Sequence, residues 1–321
     1  GLATHPQVAA ASQEAVAQWG TGSGASRLVV GGRPVHDELE AELADWKGTE
    51  AALLLPTGFA ANLAVMAALA TGPDVLVVSD ELNHASIIDG CRLGRGRVAV
   101  ARHGDVAHVE DLLAAHDGPA IVVTDTVFSM DGDVAPVDDL AAVCGRHEAL
   151  LALDEAHGVL GPHPELAAPV WDGVEVVRVG TLSKALGSLG GFVAARRDVV
   201  DLLVNTARPF IFTTAPTPGD SAAALAALRI VRSPEGLTLM ARLREHVDTV
   251  LPGHPSPIIP VLLGTEAVAL AASTRLLDQG LLVPAIRPPT VPAGTSRLRV
   301  ALSAAHTDEQ VERLVKALAD L

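Results

Sequence analysis

The chain has 321 residues, 49% of them hydrophobic and 19% charged, with a formal net charge of −15. That length and apolar content suit a globular protein with a large domain and a smaller one. The bulk negative charge excludes a nucleic-acid partner held by a general basic surface, so an anionic substrate has to meet a local arginine cluster. Cys91 and Cys144, the two cysteines, make neither a disulfide framework nor a cysteine-based metal site, and they read as small buried apolar residues. No metal is expected. The opening Gly1-Leu-Ala-Thr-His-Pro6 is neither basic nor followed by an apolar core, so no signal peptide is expected. The longest apolar stretch, 51–70, is interrupted by Pro56, Gly58 and Asn62. It therefore reads as strand, turn and buried helix rather than a membrane span. The expected location is the cytoplasm.

Residues 7–19 have helical periodicity and run into Gly20-Thr-Gly-Ser-Gly-Ala-Ser-Arg27. No strand precedes these glycines, which argues against a dinucleotide loop and for a turn passing close to a ligand or a neighbouring chain. A helix is predicted over 36–47. Short apolar runs then recur at 51–55, 75–79, 98–101, 120–125, 150–154, 176–180 and 191–194, mostly separated by helical patterns or turn signals. Continuous apolar strands alternating with helices indicate a mainly parallel, seven-stranded sheet covered on both faces, an α/β class. Ligands of such sheets gather at the carboxyl ends of the strands. A helical pattern over 217–232 is expected to lead out of this domain. Beyond it the chain reads as α+β, with helices at 237–251, 267–279 and 308–321 and strands at 258–263, 281–287 and 297–302. The expected organisation is an N-terminal helix and glycine-rich segment (1–30), a large domain (31–232) and a small C-terminal domain (233–321).

Asp154-Glu-Ala-His157-Gly158 closes one predicted strand, and Thr181-Leu-Ser-Lys184 closes the next. An acid and a histidine followed by a lysine one βα unit later is a layout that holds pyridoxal 5′-phosphate (PLP). The lysine forms a Schiff base with the aldehyde, and the aspartate keeps the pyridine nitrogen protonated so that the ring accepts electrons. Lys184 then serves as nucleophile and base. His157 can donate to the ring's phenolate oxygen. His84, just past the strand at 75–79, can stack on the ring and handle protons. Taken singly, a solvated lysine, an aspartate capping a helix and structural histidines are the ordinary readings; the set together reverses them. Thr57-Gly58-Phe59 sits at a strand-to-helix turn whose backbone N–H groups can bind a phosphate, with Gly58 allowing close approach. Thr181 and Ser183 offer hydroxyls to the same anion. Ser129, in Val127-Phe-Ser129-Met-Asp-Gly-Asp133, follows the strand at 120–125 and lies beside the cofactor if the parallel order holds.

A block rich in arginine, Ile286-Arg287-Pro-Pro-Thr290-Val-Pro-Ala-Gly-Thr-Ser-Arg297-Leu-Arg299, can bind a carboxylate bidentately. Strand alternation puts Arg297 and Arg299 on one face, which does not choose between them.

Together these residues resemble the α-oxoamine synthases, a fold-type-I PLP transferase family. Its members condense a small amino acid with an acyl thioester and release carbon dioxide. The matching pieces are Gly20–Arg27, Thr57–Asn62, Asn83–Ser86, Phe128–Asp133, Asp154–Gly158 and Thr181–Lys184, in family order across nearly the whole chain. Within the family, residues 286–299 and Ala207-Arg-Pro-Phe-Ile-Phe-Thr-Thr214 are most similar to members that join L-alanine to a pimeloyl thioester, carried on coenzyme A or acyl carrier protein. Glycine-using members are the alternative. A non-catalytic PLP-fold subunit would lack the lysine or the aspartate, and both are present.

The resemblance implies that Arg299 holds the amino-acid carboxylate and that Thr290 and Arg287 face the acyl substrate. It further implies a homodimer with shared active sites, in which Thr213 and Thr214 reach the phosphate of the other subunit. By the same resemblance, the stretch 1–321 is expected to begin within the relatives' N-terminal region, past an arm that closes over the acyl substrate, residues 237–258 look shorter than usual, and Asp125 stands where relatives often carry Glu. An acidic carrier protein would need a basic rim around the entrance, for which Arg92, Arg95 and Arg97 are candidates.

Overall fold

The computed structural model describes residues 1–161, 169 and 171–321. They form two compact units: a larger one made of Leu2–Thr126 with Ala135–Ser233, and a smaller one made of Gly1, Val127–Val134 and Pro234–Leu321.

In the larger unit, α1 (Pro6–Trp19) begins with Pro at its first turn and the imidazole of His5 accepting from the Gln7 backbone, as expected where the first helical N–H groups have no partner. After a π-helical turn at Arg27–Gly31 come α2 (Pro34–Lys47), β1 (Ala51–Leu55), α3 (Gly58–Leu69), β2 (Leu76–Asp80), α4 (Ala85–Gly94), β3 (Arg97–Ala101), α5 (Val106–Ala114) and β4 (Ala120–Asp125). Then follow α6 (Val137–Arg146), β5 (Leu150–Asp154), β6 (Val176–Thr181), β7 (Gly191–Ala195), α7 (Arg197–Thr206), the short α8 (Arg208–Ile211) and α9 (Pro218–Val231).

The seven strands make one sheet in the order β1-β7-β6-β5-β4-β2-β3. Neighbours among β3, β2, β4, β5 and β6 pair in parallel, and β7 pairs antiparallel with both β6 and β1. The inner strands are mostly apolar because both faces are covered, whereas the edge strand β3 is largely exposed. Val77, Ile121, Val123, Ala152 and Val193 pack on one side with Ala61, Val65 and Ile87 of the helices. Leu76, Val78, Val122, Leu151 and Leu153 pack on the other with Val109, Leu140 and Cys144. Both cysteines are free and buried, and burial pushes the Cys91 and Cys144 thiols up to about 11 and about 12.

Two expectations change here. The helix at 217–232 does not lead out of the sheet unit: α9 packs on α1 and α2, and the smaller unit takes up again at Pro234. Arg97 opens β3, whose register with β2 is parallel. Arg97, and Arg92 and Arg95 just before it, therefore lie toward the amino ends of the strands. They are not the rim of a site at the carboxyl ends.

In the smaller unit, α10 (Pro234–Val250), β8 (Ile258–Gly264), α11 (Glu266–Asp278), β9 (Ala285–Ile286), β10 (Ser296–Ala301) and α12 (Asp308–Ala319) build a three-stranded antiparallel sheet in the order β8-β10-β9. Val247, Ile259, Leu276, Leu298, Val300 and Leu314 form its core. The strand expected over 281–287 contracts to β9, because Pro284 has no N–H to donate to the ladder and Pro288 follows closely. Among the described residues no helix is long and apolar enough to cross a membrane, and no group of His, Cys, Asp or Glu could hold a metal.

Candidate functional site

The parallel order brings one set of side chains to the carboxyl edge of the large sheet. Asp125 ends β4 and Asp154 ends β5, and the two are register partners. Thr181 ends β6 opposite Gly191 of β7, which in turn lies opposite Leu55 of β1. The Thr57–Gly58 turn, Asp125, Asp154, Thr181 and the turn holding Lys184 thus share one edge. That turn is closed by Gly187 N–H on the Lys184 carbonyl (3.1 Å) and Ser188 N–H on the Leu182 carbonyl (2.9 Å).

Gly191 has a steric reason for its identity. A Cβ there would stand 2.4 Å from the carbonyl carbon of Thr57, so β7 can approach the Thr57–Gly58 turn only without a side chain. The Thr57 hydroxyl caps α3 by accepting from Ala60 N–H at 3.0 Å, which leaves the N–H groups of Gly58 and Phe59 at a helix start. The Thr181 and Ser183 hydroxyls lie 2.7 Å apart, and a Cβ on Gly58 would come 3.2 Å from Thr181 Cβ. Helix start and hydroxyls form one anion-sized cradle.

Asp154 is buried and accepts at both oxygens, from Ala156 N–H at 2.8 Å and from Asn62 Nδ2 at 2.5 Å. Asn62 also donates to Ser86 Oγ (2.9 Å), which lies 2.7 Å from Nδ1 of His84. Burial raises both Asp154 and Asp125 above the ordinary carboxylate range. Asp125 is raised further, since the charge of Asp154 adds to its burial. Asn62, Ala156 N–H and the ammonium of Lys184 pull Asp154 back toward the ordinary range. Asp125 accepts from His84 N–H (2.7 Å) and fixes the start of α4. The His84 ring meets Phe59 edge-on at 6.5 Å between centroids. His157 lies in the turn after β5 that Gly158 N–H closes on the Glu155 carbonyl (3.0 Å).

Glu155 points the other way from Asp154, into a buried ion cluster. Its two oxygens meet Lys47 Nζ at 2.6 Å and Arg178 Nη1 at 2.5 Å, and Lys47 also donates to the Val159 carbonyl at 2.6 Å. This anchors both ends of the Asp154–His157 turn. Thr213 and Thr214 follow α8 on a segment tied to the glycine-rich stretch: Ala215 N–H donates to the Ala25 carbonyl (3.0 Å) and Ser23 Oγ to the Pro216 carbonyl (2.6 Å).

Ser129, Arg287, Thr290 and Arg299 belong to the smaller unit. There Arg297 is buried, pairs with Asp131 and donates to the Thr295 carbonyl (3.0 Å). Arg299 is half-buried and places Nε 2.5 Å from the Ser129 carbonyl. Burial lowers its pKa, and no carboxylate pairs with it among the described residues. Of the two arginines, Arg297 is the one whose charge a carboxylate cancels. Arg287 and Thr290 are exposed and joined by Thr290 N–H on the Arg287 carbonyl at 3.1 Å.

Reading along the chain missed Asn62, Ser86 and the adjacency of Asp125 to Asp154. The signal for Asn62 was present, as a lone amide within the apolar pattern of 59–69.

A family model for aminotransferase class I and II matches residues 1–318. A protein of Anaeromyxobacter dehalogenans (strain 2CP-1 / ATCC BAA-258) named 8-amino-7-oxononanoate synthase is 51% identical over 333 residues, covering 99% of this chain and 83% of its own. One of the same name from Geobacter sulfurreducens (strain ATCC 51573 / DSM 12127 / PCA) is 47% identical, covering 99% and 85%. Among solved structures, a serine palmitoyltransferase variant from S. paucimobilis with a bound PLP–myriocin aldimine superposes with a TM-score of 0.93 at 31% identity, over 100% of this chain and 84% of that one. An 8-amino-7-oxononanoate synthase from Francisella tularensis, 24% identical with a TM-score of 0.80 over 99% and 94% of the two chains, shares the fold. With a match that runs from its first residue almost to its last, the chain belongs to the aminotransferase class I and II family.

Proposed function

We propose that this protein is an 8-amino-7-oxononanoate synthase, a PLP-dependent C-acyltransferase of the fold-type-I α-oxoamine synthases. It joins L-alanine to a pimeloyl thioester of coenzyme A or acyl carrier protein and releases carbon dioxide and the thiol, a step of biotin biosynthesis. The observation that carries this reading is 51% identity across 99% of the chain to a relative of that name, against 31% to the serine palmitoyltransferase.

The residues present fit PLP. A buried carboxylate with a neighbouring lysine suits a pyridinium and an aldehyde, and the cradle of Gly58, Phe59, Thr181 and Ser183 suits a phosphate. When bound, PLP supplies an electron sink that stabilises negative charge on the amino-acid Cα. Lys184 would hold the cofactor aldehyde and is placed to take the Cα proton of the amino acid. Asp154 keeps the proton on the pyridine nitrogen. His157 donates to the ring's phenolate oxygen, and His84 stacks on the ring face. Arg299 holds the alanine carboxylate, while Arg287 and Thr290 face the acyl chain. Ser129 contacts the cofactor. The protein works as a cytoplasmic homodimer, with Thr213 and Thr214 reaching the partner's phosphate.

The test is product mass spectrometry with alanine, glycine and serine against pimeloyl- and acetyl-CoA. Formation of 8-amino-7-oxononanoate from alanine is the expected result. Turnover of glycine with acetyl-CoA alone overturns the proposal in favour of a glycine C-acetyltransferase.

A further inference from the structure

The ring nitrogens of His84 are governed by two buried residues, Asn62 and Ser86. Asn62 donates from its amide NH2 to Asp154 Oδ2 at 2.5 Å. The second hydrogen of that NH2 goes to Ser86 Oγ at 2.9 Å. Ser86 has one hydroxyl hydrogen, and Asn62 Nδ2 cannot receive it. Nδ1 of His84 accepts from the Ser86 backbone N–H at 3.2 Å, so the hydroxyl hydrogen goes to that same atom at 2.7 Å. Two donors on Nδ1 leave it no room for a proton of its own.

We propose that Asn62 and Ser86 are positioning residues that hold His84 as the Nε2–H tautomer, Asn62 donating to both Asp154 and Ser86 and Ser86 donating on to His84. These bonds are sheltered: Asn62, Ser86 and Asp154 are all buried, so water does not compete for them. Because Nδ1 also caps the first turn of α4, the same bonds set the plane of the imidazole. A ring that stacks on a flat cofactor and carries one proton at a defined atom needs both constraints. This inference rests on the proposed function for its role in catalysis, but the tautomer itself does not.

The test is 15N NMR of the histidine side chains of the intact protein, with His84 assigned by the signals lost in His84→Gln. In the wild type, Nε2 is expected to carry the proton and Nδ1 to be bare; a wild-type His84 protonated at Nδ1, or exchanging between tautomers, overturns the proposal. Ser86→Ala should release His84 into a tautomer mixture and lower kcat about tenfold, the scale of one lost hydrogen bond, with Ser86→Thr restoring both. An unchanged His84 spectrum in a folded Ser86→Ala protein overturns it as well. Failure to take up PLP beside the expected tautomer would count against the proposed function alone.

Discussion

Arg297 and Arg299 lie two residues apart on β10, yet only Arg297 is neutralised by a carboxylate, that of Asp131. Arg299 gives its Nε to a backbone carbonyl, that of Ser129 at 2.5 Å. Asp131 and Ser129 belong to one short segment, so the two arginines brace the same turn while keeping a single uncompensated guanidinium. Gly132 in that turn has φ +70 and would put a Cβ 1.9 Å from the Ile258 carbonyl oxygen, so glycine alone allows the segment to pack there.

Arg299→Gln is therefore expected to raise KM for alanine by roughly 10- to 100-fold, the scale of a lost charge-assisted hydrogen bond, with the unfolding midpoint nearly unchanged. Arg297→Gln should do the reverse, removing about 1–3 kcal/mol of stability with a smaller effect on KM. Steady-state kinetics and urea unfolding on both variants check the split.

Glu155 makes a second testable point. Burial alone would raise its pKa, but Lys47 and Arg178 more than offset this and hold it below its ordinary 4.5. A carboxyl depressed in the folded state stabilises above its unfolded pKa and loses that contribution as pH falls through the folded value. Glu155→Gln leaves two buried cations without their anion and should cost about 3–5 kcal/mol at neutral pH. It should also remove the part of the acid unfolding below about pH 4.5 that this cluster causes. Chemical unfolding at pH 7 and pH 4 on wild type and variant measures both.

His36 acts in a higher pH window. It is fully buried; Nδ1 accepts from Arg33 N–H at 3.1 Å, so Nε2 donates to the Pro216 carbonyl at 2.9 Å. Burial, with the charge of Arg27, pushes its pKa down from 6.5 to about 4. Between those values the unfolded chain binds a proton that the folded one refuses, so stability falls as pH drops from 6.5 toward 4, by about 3 kcal/mol. His36→Gln should flatten that slope. Urea midpoints taken across this range decide the matter.

Gly191→Ala should displace the Thr57–Gly58 turn, because the added methyl would meet the Thr57 backbone at 2.4 Å. PLP affinity is expected to fall by about tenfold or more, equivalent to about 1.4 kcal/mol, in an absorbance titration. Affinity equal to wild type would remove that turn from the cofactor's phosphate cradle.

Much of this was legible along the chain. Strands buried on both faces have to be continuously apolar, so 51–55, 120–125 and 150–154 could be bounded from composition alone, and they coincide with β1, β4 and β5. The carboxyl-edge rule by itself puts Asp154, Thr181 and the Lys184 turn together. Over 281–287 the apolar pattern indicates a longer strand than forms, since Pro284 has no N–H to give and β9 is confined to Ala285–Ile286. What only the tertiary structure decided was pairing between distant residues: Asp131 with Arg297, Asn62 with Asp154, Asp125 beside Asp154, and the end of the sheet at which Arg92, Arg95 and Arg97 stand. Periodicity is a local property, and it reports which face a residue takes. Which charge is cancelled, and which is left to bind a ligand, depends on contacts across a hundred residues or more that no local pattern encodes.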